Sequence, residues 1–179
     1  WIEEHGEDGK QIYVFNSRSA SVGETLIGLK IQECEEQGLG FEETVSTVEK
    51  YIESQHTYFV LENLDTLRKN GRLTGIKSFV ASALNIKPVM GSTPEGTICQ
   101  LGQARGMKRA LVKMTDQIAR EGRDTHDKLL AIAHCNCLER AREVERMLLE
   151  KIQVKGSFIV DTAGISTMYA NDGGLIVVL

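Results

Sequence analysis

The stretch from Tyr58 to Ser92 constrains this chain more than any other, because it fixes the order of several elements in a short span. Tyr58-Phe59-Val60-Leu61 is a short apolar run of aromatic and branched residues and reads as a strand. Asn63 is a capping residue type, and Leu64 and Leu67 follow it on one helical face. Arg68-Lys69-Asn70-Gly71-Arg72 then forms a cationic turn, with Asn-Gly where the backbone needs positive φ. Beyond the turn, Phe79, Val80, Ala83 and Leu84 recur at helical spacing. Pro88 holds Lys87 in an extended conformation, so Ile86 to Met90 is expected to be a strand ended by Gly91. Strands alternating with helices at this density define an α/β chain.

The flanking sequence extends this pattern. Gln11 to Phe15 is β-rich and is expected to be a strand, followed by a small-residue loop from Asn16 to Gly23. Ser19 and Ser21 in that loop have two readings, as caps of the next helix or as part of a ligand site at a strand's carboxyl end. Helices are expected over 24–37, stopping at Gly38, and over 41–54. Thr93-Pro94-Glu95-Gly96 is a tight turn joining two strands of a hairpin. Leu111, Met114 and Ile118 give a helix over 107–121 its buried stripe. A strand over 128–133, a surface helix over 138–152 and strands at 158–160 and 175–179 complete the pattern. The hydroxyl-rich string from Asp161 to Gly174 is expected to be a close-packed loop with several donors.

Charge is unevenly distributed. Residues 1–55 hold 12 acids and 4 bases, net −8, whereas residues 56–120 hold 4 acids and 10 bases, net +6. The remaining residues carry 9 acids and 7 bases, net −2. The basic middle is either a solvated face or the meeting place for an anionic ligand or partner. It lacks the interleaved aromatics and high pI of a nucleic-acid surface, so no nucleic-acid partner is expected. No apolar run approaches the roughly 20 residues of a membrane helix, so no stable membrane insertion is expected.

Cys34, Cys99, Cys135 and Cys137 show no disulfide spacing, and reduced thiols in the cytoplasm are expected. His134-Cys135-Asn136-Cys137 places its candidate ligands almost adjacent, without a second Cys/His pair at a workable spacing, so a strand end and turn are expected there and no metal. Ser166 and Thr167 have no His–acid pair near them in sequence, and no catalytic residues are expected. The chain begins at Trp1 with no visible signal peptide and is expected to be a piece of a longer protein.

Leu61, Leu64, Leu67, Arg68, Lys69, Gly71, Arg72 and Leu73, followed by Asn85-Ile86-Lys87-Pro88, form an ordered string that resembles the signature of the DegV family of fatty-acid-binding proteins. The resemblance runs over nearly the whole chain. It implies two lobes: residues 1–55 as the end of a Rossmann-like parallel-sheet lobe, and residues 56–179 as an α+β lobe with a largely antiparallel sheet covered by helices. A long-chain fatty acid such as palmitate, stearate or oleate would lie in an apolar tunnel between them, with no cofactor. The implied tail contacts are Phe79, Val80, Ala83, Leu84, Ile86 and Met90, and the same helix also reads as an ordinary core helix.

For the head group the resemblance points to Tyr169, Ser19 and Ser21. The family usually has H-x-G-P-G near Tyr169; here Tyr169 aligns with the His and Asn171-Asp172-Gly173 replaces Gly-Pro-Gly. A phenol donates a hydrogen bond to a carboxylate but brings no positive charge, and Tyr169 reads equally as a packing residue. The family's main carboxylate contacts lie upstream of this chain's start. The implied role is carriage rather than catalysis: presenting the acid to a dihydroxyacetone-kinase-like fatty acid kinase, recognised through Arg68, Lys69, Arg72, Arg105, Lys108 and Arg109. The alternatives are an enzyme acting on a small carboxylate or phosphate, and a regulatory module that binds protein through the basic face.

Overall fold

The computed structural model describes residues 10–73, 85–122 and 124–179. Six strands form one sheet: β1 (Thr57–Val60), β2 (Ile86–Ser92), β3 (Ile98–Arg105), β4 (Leu129–His134), β5 (Gly156–Asp161) and β6 (Leu175–Val178), in the order β3-β2-β1-β6-β4-β5. Only β4 and β5 run parallel. Every other neighbouring pair is antiparallel. That parallel pair is joined through α5 (Leu138–Leu149), the kind of crossover a parallel connection requires.

Alternation along the strands sorts side chains to two faces. One face carries Tyr58, Val60, Val89, Leu130 and Ile132 against α4 (Met107–Glu121) and α5. The expected stripe of α4 is buried there, with Leu111 at 2% exposure and Met114 and Ile118 at 0%. The α5 helix is amphipathic rather than wholly a surface helix. Ala141, Val144 and Leu148 are buried, while the Arg142–Glu139 and Arg146–Glu150 pairs face solvent.

The opposite face is shared. Val22 and Leu26 of α1 (Val22–Glu36) pack on Ala131, Ala133 and Val178. Outside α1 lies α2 (Phe41–Glu53), joined to it through Ile27, Cys34, Val48 and Ile52. Gly38, at φ 72°, ends the α1 turn as expected, with the Leu39 amide donating to Cys34 O at 3.0 Å. The boundary expected near residue 55 falls in the link from α2 to β1, although α1 lies on the sheet formed by the later residues.

Residues 11–15 are not a strand: they have no hydrogen-bonded neighbour strand among the described residues, and Ile12, Tyr13 and Val14 are 48%, 46% and 85% exposed. Their two-residue period is used differently. Tyr13 and Phe15 turn to one side with rings 4.9 Å apart, and the Tyr13 hydroxyl donates to Glu49 of α2 at 2.8 Å. The string before β6 is not all loop either, because Gly164–Ala170 is a short helix, α6, with Ala170 buried. Hydroxyl residues suggested a loop, but Thr162 and Thr167 bond to each other at 2.9 Å across the start of this helix.

Among the described residues no helix is long and apolar enough to cross a membrane. The four cysteines are free thiols.

Candidate functional site

Past the edge of α1, the second sheet face carries a separate apolar cluster. Phe59 and Leu61 reach it from β1 and its end, Met90 from β2, and half-buried Ile176 from β6. Two short helices close over it: α3 (Asp65–Lys69), through Leu64 and Leu67, and α6, through Ala170 and the half-buried Tyr169. Local sequence explains the position of α3. The Asn63 carboxamide oxygen accepts from the Asp65 amide at 3.2 Å, and after Gly71 (φ 69°) the Arg72 amide returns to Leu67 O at 2.9 Å. That turn brings Leu73 back onto the cluster and leaves Arg68, Lys69 and Arg72 in solvent.

The carboxyl end of β1 opens onto a polar assembly. Lys87 of β2 donates to Glu62 Oε2 at 2.6 Å and to Glu62 O at 2.7 Å, and Arg140 of α5 meets Glu62 Oε1 at 3.1 Å. Arg140 also donates to Gly173 O. Burial alone raises the Glu62 pKa, but the Lys87 and Arg140 cations outweigh it and hold the carboxyl below its ordinary value. Sequence reasoning missed this assembly, and only Lys87, within the Asn-Ile-Lys-Pro string, carried a signal.

Of the predicted site residues, Met90 and Tyr169 share the apolar cluster, with Met90 fully buried at 0%. Ile86 is half-buried at the start of β2, opposite Arg105. Phe79, Val80, Ala83 and Leu84 lie outside the described residues. Ser19 and Ser21 stand at the other end of β1. The Ser19 hydroxyl bonds to the Thr57 hydroxyl at 2.7 Å, and Ser21 occupies the N-cap position of α1 with φ 57° and no side-chain cap bond. Tyr169 is placed near the opposite end, where β6 begins beside Val60. Four strand residues, roughly 10 Å, separate the two groups.

The predicted cations Arg105, Lys108 and Arg109 are exposed where β3 passes into α4. Arg109 also lines an open groove of about 640 Å³ along the outer side of α4, with Lys113, Asp116 and Arg120. No group of three potential metal ligands occurs among the described residues. His134, at 4% exposure, receives the Cys137 amide on Nδ1 at 3.3 Å, and the Thr167 hydroxyl is engaged by Thr162. The arrangement is an apolar cluster buried under α3 and α6, with charged groups at the carboxyl end of β1.

A six-stranded, mostly antiparallel sheet with helices packed on it is a fold this chain shares with solved α/β proteins. The chain belongs to the DegV family, which it matches over residues 2–177. It is 72% identical to a DegV family protein from Ruminococcus gnavus whose structure was refined with vaccenic acid; the TM-score is 0.95 over 99% of this chain and 63% of that one. It is 31% identical to the Streptococcus pneumoniae Fatty Acid Kinase (Fak) B3 protein loaded with linoleic acid, with a TM-score of 0.85 over 99% of this chain and 62% of that one. A DegV domain-containing protein of Streptococcus pneumoniae is 31% identical over 177 residues, 98% of this chain and 61% of its own length. The chain thus spans less than two thirds of each relative.

Proposed function

We propose that this chain is the tail-contacting part of a cytoplasmic carrier that binds a long-chain fatty acid and does no chemistry on it. The observation that carries the reading is the apolar cluster around Phe59 and Met90, closed by α3 and α6 and ending at polar groups near Tyr169. Support comes from two relatives, from Ruminococcus gnavus and Streptococcus pneumoniae, seen with vaccenic and linoleic acid.

In this reading the aliphatic tail runs along the apolar face, bounded by Ile86, Met90 and the helix expected around Phe79, Val80, Ala83 and Leu84. Each buried methylene contributes about 0.8 kcal/mol, so a sixteen-carbon tail supplies on the order of 10 kcal/mol before ordering costs. Tyr169 faces the carboxylate at the polar end. Ser19, bonded to Thr57 at the far end of β1, acts in holding the preceding loop.

The bound acid is presented to a dihydroxyacetone-kinase-like fatty acid kinase, which phosphorylates the carboxyl group for lipid synthesis. Arg68, Lys69 and Arg72 at α3, and Arg105, Lys108 and Arg109 where β3 passes into α4, are all exposed and are the cations that meet the acidic partner in this reading.

Native mass spectrometry of the longer parent protein as purified, followed by denaturing extraction, tests the reading. A co-purified C14–C18 fatty acid is expected. A clean apo-protein that also fails to take up palmitate or oleate would overturn it and favour an enzyme or a protein-binding module.

A further inference from the structure

The turn between α6 and β6 is held from three sides. Gly173 N donates to Cys135 O at 2.8 Å, and Cys135 N donates back to Gly174 O at 3.0 Å. The Asn136 carboxamide donates to Asp172 Oδ1 at 3.0 Å, and the Asn171 carboxamide donates to Tyr169 O at 3.1 Å. From the third side Arg140 donates to Gly173 O while bonded to Glu62, which is itself fixed by Lys87. A side chain here would displace the assembly: a Cβ on Gly173, where φ is 81°, would stand 2.9 Å from the Arg140 guanidinium and 3.0 Å from Glu62 Cγ.

These contacts join β2, the β1–α3 link, α5 and the α6–β6 turn at one point. Arg140 suits this role because its planar fork reaches a carboxylate and a carbonyl at the same time, which the point charge of a lysine does less well. The side chains of Arg140 and Lys87 are 26% and 16% exposed, so their charges are screened less than those of surface pairs. Asp172, within the turn, is exposed and accepts from Asn136. Tyr169 sits two residues before Asn171, on the last turn of α6, so its direction follows the path of this turn.

We infer that Arg140, locked by Glu62 and Lys87, is a positioning residue that sets Tyr169 and thereby the site's preference for a carboxylate over a neutral head group. This rests on the fatty-acid reading above. Arg140 acts through Tyr169, so the apolar tail surface is not its target.

The test uses the full-length parent protein and two probes of equal chain length, palmitate and hexadecanol, with binding measured by calorimetry. The wild type should prefer palmitate. Arg140→Met should lower that preference about five- to tenfold and leave hexadecanol affinity unchanged, and Arg140→Lys should recover part of it. In a Tyr169→Phe background, where the preference is already reduced, Arg140→Met should change the ratio no further, because two residues acting through one contact are not additive.

Equal loss for both probes would mean that Arg140 only supports the fold, and would overturn the inference while leaving the carrier reading intact. A full Arg140→Met effect in the Tyr169→Phe background would overturn it in another way, by showing that the guanidinium acts directly. If neither probe binds the wild type, the carrier reading itself fails. Should Arg140→Met not fold, Glu62→Gln carries the same prediction with a smaller loss of preference, since it keeps the shape and weakens the lock.

Discussion

The Tyr58 hydroxyl donates to Glu121 Oε2 at 2.7 Å, tying the centre of the sheet to the last turn of α4. Tyr58 is 3% exposed, and burial followed by the Glu121 bond raises its phenol pKa well above the ordinary value. A hydrogen bond to a charged acceptor contributes roughly 1.5–3 kcal/mol, less where that acceptor also reaches water, as Glu121 does. Tyr58→Phe should therefore cost about 1–2 kcal/mol in urea unfolding with an unchanged m-value. A loss below about 0.3 kcal/mol would mean that water replaces the phenol at no cost.

Gly96 closes the β2–β3 turn at φ 84°, and a Cβ there would lie 2.8 Å from Arg18 Cα and 2.9 Å from Arg18 O. Backbone atoms cannot swing aside as a flexible side chain can. Gly96→Ala therefore combines left-handed strain with a collision that pushes the 16–21 loop off the hairpin, a loss of roughly 2–3 kcal/mol. Limited proteolysis should show faster cleavage in that loop. Gly28→Ala, mid-helix with open space around the new methyl, serves as the control and should stabilise or be neutral.

Tyr51 of α2 packs between α1 and the sheet, and burial, with a smaller effect of the Glu33 carboxylate, pushes its phenol up to about 12. Above pH 10 the unfolded chain releases this proton while the folded chain keeps it. Folded protein then holds more protons, so stability present below pH 10 is lost as pH rises towards 12. Thermal melts between pH 9 and pH 11.5 should fall more steeply for the wild type than for Tyr51→Phe, by up to roughly 2 kcal/mol at the alkaline end. Parallel curves would show that Tyr51 ionises equally easily in both states.

Legibility followed the range of the interactions. The helix from Met107 to Glu121 was readable because Leu111, Met114 and Ile118 repeat locally, and the hairpin because Thr93-Pro94-Glu95-Gly96 is a turn by itself. The strand expected at 11–15 failed because a strand is defined by its neighbour, and Tyr13 and Phe15 found α2 instead. Leu64, Leu67 and Met90 were each readable as apolar positions, but their convergence under α3 and α6 depends on sheet order. The Glu62–Lys87–Arg140 assembly left almost no trace, since ordinary charged residues in three distant segments have no local pattern.

The cations at the start of α4 give the last prediction. Arg105 and Arg109 are exposed, the first at the end of β3 and the second on the first turn of α4. Positive charge at a helix N-terminus opposes the macrodipole, so these arginines do not stabilise α4 through that term. Their proposed role is outward, in steering an acidic partner. Arg105→Glu with Arg109→Glu in the full-length protein should leave fatty-acid uptake within twofold and lower kinase coupling by roughly ten- to a hundredfold. The wild-type coupling rate should also fall as salt rises, and the variant's should fall less, because exposed charges interact over a Debye length of about 10 Å at 0.1 M salt. Loss of fatty-acid uptake in the variant would assign the two arginines to the fold, and unchanged coupling would remove them from the docking face.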